Sequence, residues 1–119
     1  MTPTQLTQGI EISFRTSPAN RRELVQSLEM LRQSVLASDR ASECHIAEDL
    51  TEPNVFRWCE WWPEDSDTAA IEGSDRFRAL LGAIRLLGSL DGLHHVLRSA
   101  ETHNDSPKAP SPIPRRTGT

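Results

Sequence analysis

Four of the six aromatic side chains of the chain lie within seven residues, and one carboxylate lies among them. They are Phe56, Trp58, Trp61 and Trp62, and Glu60 stands between two of the tryptophans. In an extended strand alternate side chains share a face, so Trp58, Glu60 and Trp62 are expected to point the same way. A carboxylate between aromatic rings is desolvated, which favours its protonated form. Glu60 is therefore a candidate catalytic base toward a phenol, and the rings are a candidate wall for a flat aromatic substrate.

The same residues have a structural interpretation, and the sequence leaves both open. Aromatic clusters are more often core or interface packing than binding sites. Buried carboxylates are usually paired with a cation. For Glu60 that cation would be Arg78, or Arg57 of the partner subunit.

A second catalytic candidate, His45, precedes this cluster in the sequence. If the intervening turn is symmetric about residues 51–52, His45 pairs with Trp58 and Cys44 pairs with Cys59. His45 would then share a face with Glu60, and the two could transfer a proton between them. A surface histidine is the alternative, and a single β-bulge would move His45 to the other face.

The remaining motifs give no support for a cofactor or a metal ion. His94 and His95 are adjacent, so on a strand they point to opposite faces and cannot chelate one ion together. The sequence contains no Cys-x-x-Cys pair and no glycine-rich phosphate-binding motif. We therefore expect a protein that works without a bound cofactor.

Length, charge and hydropathy exclude several function classes. The chain has 119 residues, which is the size of one domain, and a formal net charge of −4. An acidic balance argues against a general nucleic-acid binder and against an anionic-membrane binder. No apolar run approaches the roughly 20 residues of a membrane helix, and residues 1–8 do not resemble a signal peptide. Two cysteines make no disulfide framework, so a cytoplasmic location is predicted.

Periodicity divides the chain into a folded domain, residues 1–103, and a proline-rich tail, residues 104–119, that is predicted to be disordered. Period-two alternation predicts strands at 9–16, 43–49, 54–62 and 93–101. Apolar stripes at helical spacing predict helices over 18–38 and from Ser74 to Gly88, and a shorter helix is predicted to end at Ile71.

The predicted order, β-α-β-β-α-β, is that of a ferredoxin-like α+β fold, an antiparallel sheet with both helices on one face. The strand that carries the cluster has a tryptophan on each face. Trp58 and Trp62 would face the helices, and Trp61 would face away from them. A second copy of the sheet is the obvious cover for Trp61, so a homodimer is predicted.

Two segments resemble the antibiotic biosynthesis monooxygenase family. Residues 49–62 are similar to its hairpin, an acidic-Pro turn and an apolar strand followed by Glu-x-Trp, which here is Glu60-Trp61-Trp62. Residues 73–80 resemble its small-Ser-Pro-x-Phe-x-x-Leu segment. The resemblance implies that two sheets pair into a dimeric α+β barrel. It also implies a cofactor-independent monooxygenase acting on an aromatic polyketide, quinol or similar electron-rich ring.

The resemblance places the pocket between the sheet and the helices. The expected substrate-binding residues are Trp58, Trp62, Phe56, Ile71, Phe77 and Leu81.

The sequence departs from the family pattern at three positions. Ile71 stands where many members carry a histidine, and Leu81 stands where the haem-degrading relatives carry one. Arg40 occupies the place of a glycine that commonly opens the second strand. Because apolar side chains replace expected polar ones, a non-catalytic dimeric ligand-binding or accessory protein is the alternative function.

Overall fold

A computed structural model describes residues 6–38 and 40–99 of the chain. Four strands and three helices follow one another in the order β1 (Leu6–Thr16), α1 (Pro18–Ala37), β2 (Glu43–Glu48), β3 (Val55–Pro63), α2 (Thr68–Glu72), α3 (Asp75–Leu87) and β4 (Gly88–Ser99). The strands form one antiparallel sheet in the order β2-β3-β1-β4. This is the predicted ferredoxin-like α+β arrangement. The predicted tail, residues 104–119, lies outside the described residues.

The core lies between one face of the sheet and the two long helices. The alternating apolar residues of β1, namely Ile10, Ile12 and Phe14, are fully buried on this face. The apolar stripes of the helices cover them, through Leu24, Leu28 and Val35 of α1 and Phe77, Leu80 and Ile84 of α3. Burying a side chain of this kind stabilises the fold by about 1.5–3 kcal/mol.

Serine hydroxyl groups fix where the two long helices begin. Ser17 Oγ accepts a hydrogen bond from the Asn20 amide at 3.3 Å, and Pro18 occupies the first turn of α1. Ser74 Oγ accepts one from the Phe77 amide at 3.2 Å at the start of α3. Both caps satisfy an amide that has no partner inside the helix.

The predicted register of the β2–β3 hairpin is wrong by one residue. Cys44 pairs with Glu60 and His45 pairs with Cys59, so the ladder is centred on residue 52 rather than between residues 51 and 52. In the loop between the two strands, Asn54 adopts a positive φ of 67°. A shift of one residue moves every side chain of a strand to the other face. The two cysteines are both free thiols, and they face opposite sides of the sheet.

The final strand begins five residues earlier than predicted. β4 starts at Gly88, directly after α3, and pairs with β1 from Thr16 to Leu6. A register shift between Ser13 and Phe14 interrupts this pairing. The helix-facing positions of β4 beyond the shift include Leu93 and Leu97. The predicted end of this strand at 101 lies outside the described residues.

The other sheet face, which we call the outer face, carries Trp61. Its ring lies over Gly9, where a Cβ atom would come within 2.8 Å of the ring. The Arg98 guanidinium stacks 3.9 Å from the ring centroid and also forms an ion pair with Glu43. No described helix is long and apolar enough to cross a membrane.

Candidate functional site

Glu60 is the centre of a buried polar network. Its side chain is fully buried, and its two carboxylate oxygens each accept two hydrogen bonds. The Trp58 indole N–H donates to Oε2 at 2.9 Å, and the Trp62 indole N–H donates to Oε1 at 3.0 Å. The Arg76 guanidinium donates one N–H to each oxygen, with a distance of 3.1 Å from Nη2 to Oε1. The predicted alignment of Trp58, Glu60 and Trp62 on the helix-facing side is therefore confirmed.

The cation that pairs with Glu60 is Arg76, which the sequence reasoning missed. Arg78, the predicted partner from this helix, is exposed. The signal was present in the spacing, because Arg76 lies four residues before Leu80 and eight before Ile84, on the stripe that faces the sheet. A bidentate arginine–carboxylate pair with fixed geometry explains how the charge of Glu60 is accommodated in the core.

The structure does not bring the two candidate bases together. His45 lies on the outer face, with 59% of its side chain exposed, and its Nε2 lies 2.8 Å from Glu43 Oε1. Glu60 lies on the helix-facing side with both oxygens occupied. Because the observed register places the two side chains on opposite faces of the sheet, it disfavours a proton transfer between them. The catalytic roles of Glu60 and His45 stay predictions.

Three groups of the sheet whose pKa values are shifted are Cys44, Cys59 and Glu43. Burial raises the pKa of the Cys44 thiol to about 12 and that of Cys59 to about 11. The hydrogen bond with His45 lowers the pKa of the Glu43 carboxyl, and Arg98 lowers it further. Burial acts in the opposite direction, but the pKa stays below its ordinary value. Because thiolates are the reactive form of cysteine, neither thiol is activated as a nucleophile.

Most of the predicted substrate-binding residues lie in the core. Trp58 and Phe77 are buried, and Phe56 stacks on Phe14 with a centroid distance of 5.6 Å. Leu81 is partly buried and packs against the same core. These side chains fill the space between the sheet and the helices. Trp62 and Ile71 also line an open cavity on the helix side.

This cavity, which we call the α2 cavity, has a volume of about 200 Å³. It is lined by Arg40, Trp62, Ser66, Asp67, Ala70 and Ile71. Its wall is built by the end of β3, the loop that follows, helix α2 and the loop between α1 and β2. A smaller hollow of about 150 Å³ lies beside the β2–β3 loop and includes Phe56 and Arg57.

Three local features hold α2 in place. The Gln8 side-chain amide donates hydrogen bonds to the carbonyl groups of Glu64 at 2.6 Å and Ser66 at 2.7 Å, and so anchors the loop after β3. Asp67 Oδ1 accepts a hydrogen bond from the Ala70 amide at 3.1 Å and caps the helix. At the other end, Glu72 of α2 pairs with His95 of β4.

Polar groups with unused hydrogen-bonding capacity surround the α2 cavity. In the part of the chain that the structure describes, the Arg40 guanidinium forms no ion pair, whether with Asp67 or with another carboxylate. Ser66 Oγ also has no hydrogen-bond partner, but this atom is fully buried and is not accessible from the cavity. Asp67 uses one carboxylate oxygen as a helix cap, so its second oxygen remains available. Trp62 is largely buried, so the aromatic part of the lining is small.

No family model and no curated protein matches the chain. Solved structures do match it. A "putative antibiotic biosynthesis monooxygenase" from Caulobacter crescentus superposes with a TM-score of 0.66 at 18% identity, over 82% of this chain and 92% of that one. Two proteins of the same description match similarly. The one from Deinococcus radiodurans has a TM-score of 0.65 at 17% identity, over 87% of this chain and 99% of that one. The one from Chloroflexus aurantiacus has a TM-score of 0.62 at 18% identity, over 82% of this chain and 97% of that one.

The chain has the fold of these proteins. The resemblance that the sequence shows to the antibiotic biosynthesis monooxygenase family is thus confirmed at the level of the fold. Identities below one fifth do not transfer an activity, because one fold supports many functions. Within residues 6–38 and 40–99, no cluster of His, Cys, Asp and Glu could hold a metal ion.

Proposed function

We propose that the protein is a cofactor-independent monooxygenase acting on an electron-rich aromatic ring, such as a quinol or an aromatic polyketide, in the α2 cavity. The observation that carries the proposal is the α2 cavity, an open hollow of about 200 Å³ whose lining includes the edge of the Trp62 residue and the side chains of Arg40 and Asp67. The solved neighbours described as monooxygenases support the same chemistry by analogy.

The reaction needs a base and dioxygen. A base removes a proton from the ring hydroxyl or from the activated carbon beside it, and the resulting carbanionic substrate supplies electrons to dioxygen. One oxygen atom enters the substrate, for example as a CH₂ group becomes a C=O group, and the other leaves as water.

Asp67 is the carboxylate that lines the cavity, so in our proposal it takes the role of the base. Its free oxygen can accept the substrate proton, whereas both oxygens of Glu60 are held by fixed donors. General bases contribute about 10²–10⁴-fold to rate.

Asp67→Asn tests this role. Asparagine also caps helices well, so the fold should persist, while oxygen uptake with a panel of hydroquinones, naphthols and anthrones should fall about 10²–10⁴-fold. Asp75→Asn, in the first turn of α3, is the matched control and should leave the uptake unchanged. Full activity in Asp67→Asn would exclude Asp67 as the base.

A non-catalytic ligand-binding or accessory protein is the second candidate. The apolar side chains of Ile71 and Leu81 and the fully occupied carboxylate of Glu60 favour it. The non-catalytic candidate is favoured if the protein binds an aromatic ring but shows no oxygen uptake with any compound of the panel.

We also propose that the protein is a cytoplasmic homodimer, with the outer face of one copy packed on that of the other. The outer face carries Trp61, Val55 and Val96 among side chains of both charges. A two-fold pairing can therefore set carboxylates of one copy against guanidinium groups of the other. Free thiols stay reduced in the cytoplasm.

Sedimentation velocity at micromolar concentration should show a dimer, and Trp61→Glu should convert it to monomer. An unpaired charge in a buried interface costs several kcal/mol. Gln33→Glu, which adds the same charge to an exposed position of α1, should leave the dimer intact. A monomeric wild-type protein would exclude the dimer.

A further inference from the structure

We infer that residues 64–73, which we call the α2 strap, form a lid that opens as a unit while the rest of the fold stays intact. Its opening uncovers the α2 cavity, because four residues of the strap line that cavity: Ser66, Asp67, Ala70 and Ile71. The consequence for ligand access rests on the proposed function. The opening itself does not, and hydrogen exchange measures it without a substrate.

The first argument is the small amount of apolar surface that the strap buries. Helix α2 has no buried side chain, whereas α1 and α3 each bury three. Within the strap, Ile71 is the side chain that packs against the hydrophobic core, and it is only partly buried. Segments with few buried apolar contacts open at a lower free energy than the core of the same protein.

The second argument is that polar contacts close both ends of the strap. At its start, the Gln8 side chain of β1 donates hydrogen bonds to the carbonyl groups of Glu64 and Ser66, at 2.6 Å and 2.7 Å. At its end, Glu72 pairs with His95 of β4, and both side chains are partly exposed. Each contact replaces a contact with water, so its net contribution to closure is small. The strap is therefore tethered at two points that can release without loss of core packing.

The charge of the strap opposes closure. Its sequence holds four carboxylates and neither lysine nor arginine, and among the described residues only Glu72 of these four forms an ion pair. The other three, Glu64, Asp65 and Asp67, lie within four residues of one another. Neighbouring like charges repel, and the repulsion weakens when the chain can move them apart in water.

Opening as a unit follows from the hydrogen bonds inside the strap. The Ile71 amide donates to the Asp67 carbonyl at 3.1 Å, and the Gly73 amide donates to the Ala69 carbonyl at 3.0 Å. A helix of five residues does not persist without tertiary contacts. When the tethers release, these amides are therefore exposed to solvent together.

Amide hydrogen exchange of the full-length protein, followed by NMR at constant neutral pH, tests the inference. After correction for intrinsic rates, the amides of Ile71 and Gly73 should exchange at least about 100-fold faster than that of Leu80, a buried residue of α3. Ile84→Val, a conservative core change, should accelerate the Leu80 amide about two- to tenfold. It should leave the strap amides unchanged, because Ile84 lies in the last turn of α3, at the end remote from the strap.

One substitution tests each tether. Gln8→Ala should accelerate exchange of the strap amides about five- to tenfold, and His95→Ala about two- to fivefold, the ranges for lost hydrogen bonds and for exposed ion pairs. Gln26→Ala, at an exposed position of α1, and His94→Ala, on the outer face, are the matched controls and should leave this exchange unchanged.

Three results would overturn the inference. Strap amides that exchange as slowly as Leu80, or that respond to Ile84→Val as Leu80 does, would show that the strap opens only when the whole fold opens. Unchanged strap exchange in both Gln8→Ala and His95→Ala would contradict the tethers. None of these results excludes the proposed reaction, which fails instead if no compound of the panel consumes oxygen.

Discussion

Arg76→Met should lower the free energy of unfolding by about 3–5 kcal/mol, which is the usual cost of leaving a buried charge without its partner. Glu60 has no exposure to solvent, and only 19% of the Arg76 side chain is exposed. Without Arg76, the carboxylate keeps its two indole donors but loses its counter-charge. Denaturant unfolding followed by circular dichroism measures the loss.

Arg78→Met is the matched control for this change, because it removes the same side chain from the same helix at an exposed position. It should change stability by less than about 0.5 kcal/mol. Equal effects of the two substitutions on the free energy of unfolding would show that the ion pair between Arg76 and Glu60 does not stabilise the fold.

Glu60→Gln separates the charge from the hydrogen bonds. A neutral amide offers one oxygen to the two indole N–H groups of Trp58 and Trp62, so one of them loses its acceptor. We expect Glu60→Gln to be destabilising alone, and the double variant with Arg76→Met to be more stable than the sum of the single effects predicts, since removal of both charges leaves none unpaired. Additive effects would contradict the coupling.

The face on which Glu60 lies could be predicted because it depends only on alternation within one strand. Trp58, Glu60 and Trp62 are two residues apart, and so are Ile10, Ile12 and Phe14 of β1. Period-two spacing fixes relative orientation without knowledge of any partner strand. The order of strands and helices follows from the same local signals together with serine caps.

The position of His45 could not be predicted in this way, because it depends on how two strands meet. The register changes when the loop contains one residue more or less, and the positive φ of Asn54 is not evident from the sequence. The α2 cavity has the same difficulty. Arg40, Trp62 and Ser66 come from separate loops and a strand end, and no periodic pattern connects them.

The early start of β4 depends on a close backbone approach that only glycine permits. Gly88 follows α3 directly, and its neighbour across the sheet is the end of β1. Its φ of −165° is ordinary extended backbone, so the constraint is one of space. A Cβ at Gly88 would lie 2.1 Å from the carbonyl oxygen of Arg15, far inside contact distance.

Gly88→Ala should therefore destabilise the protein by at least about 3 kcal/mol, the upper range for overpacking, because the atom that it meets is backbone and cannot rotate away. The adjacent hydrogen bond from Thr16 Oγ1 to the Leu87 carbonyl, at 2.6 Å, should be lost with it. Gly82→Ala is the control, since nothing lies within 4 Å of its Cβ position in α3. That change should stabilise the helix by about 0.5–1 kcal/mol. Thermal unfolding should show a lower melting temperature for Gly88→Ala and a higher one for Gly82→Ala. A Gly88→Ala variant as stable as the wild type would show that β1 and the start of β4 lie farther apart.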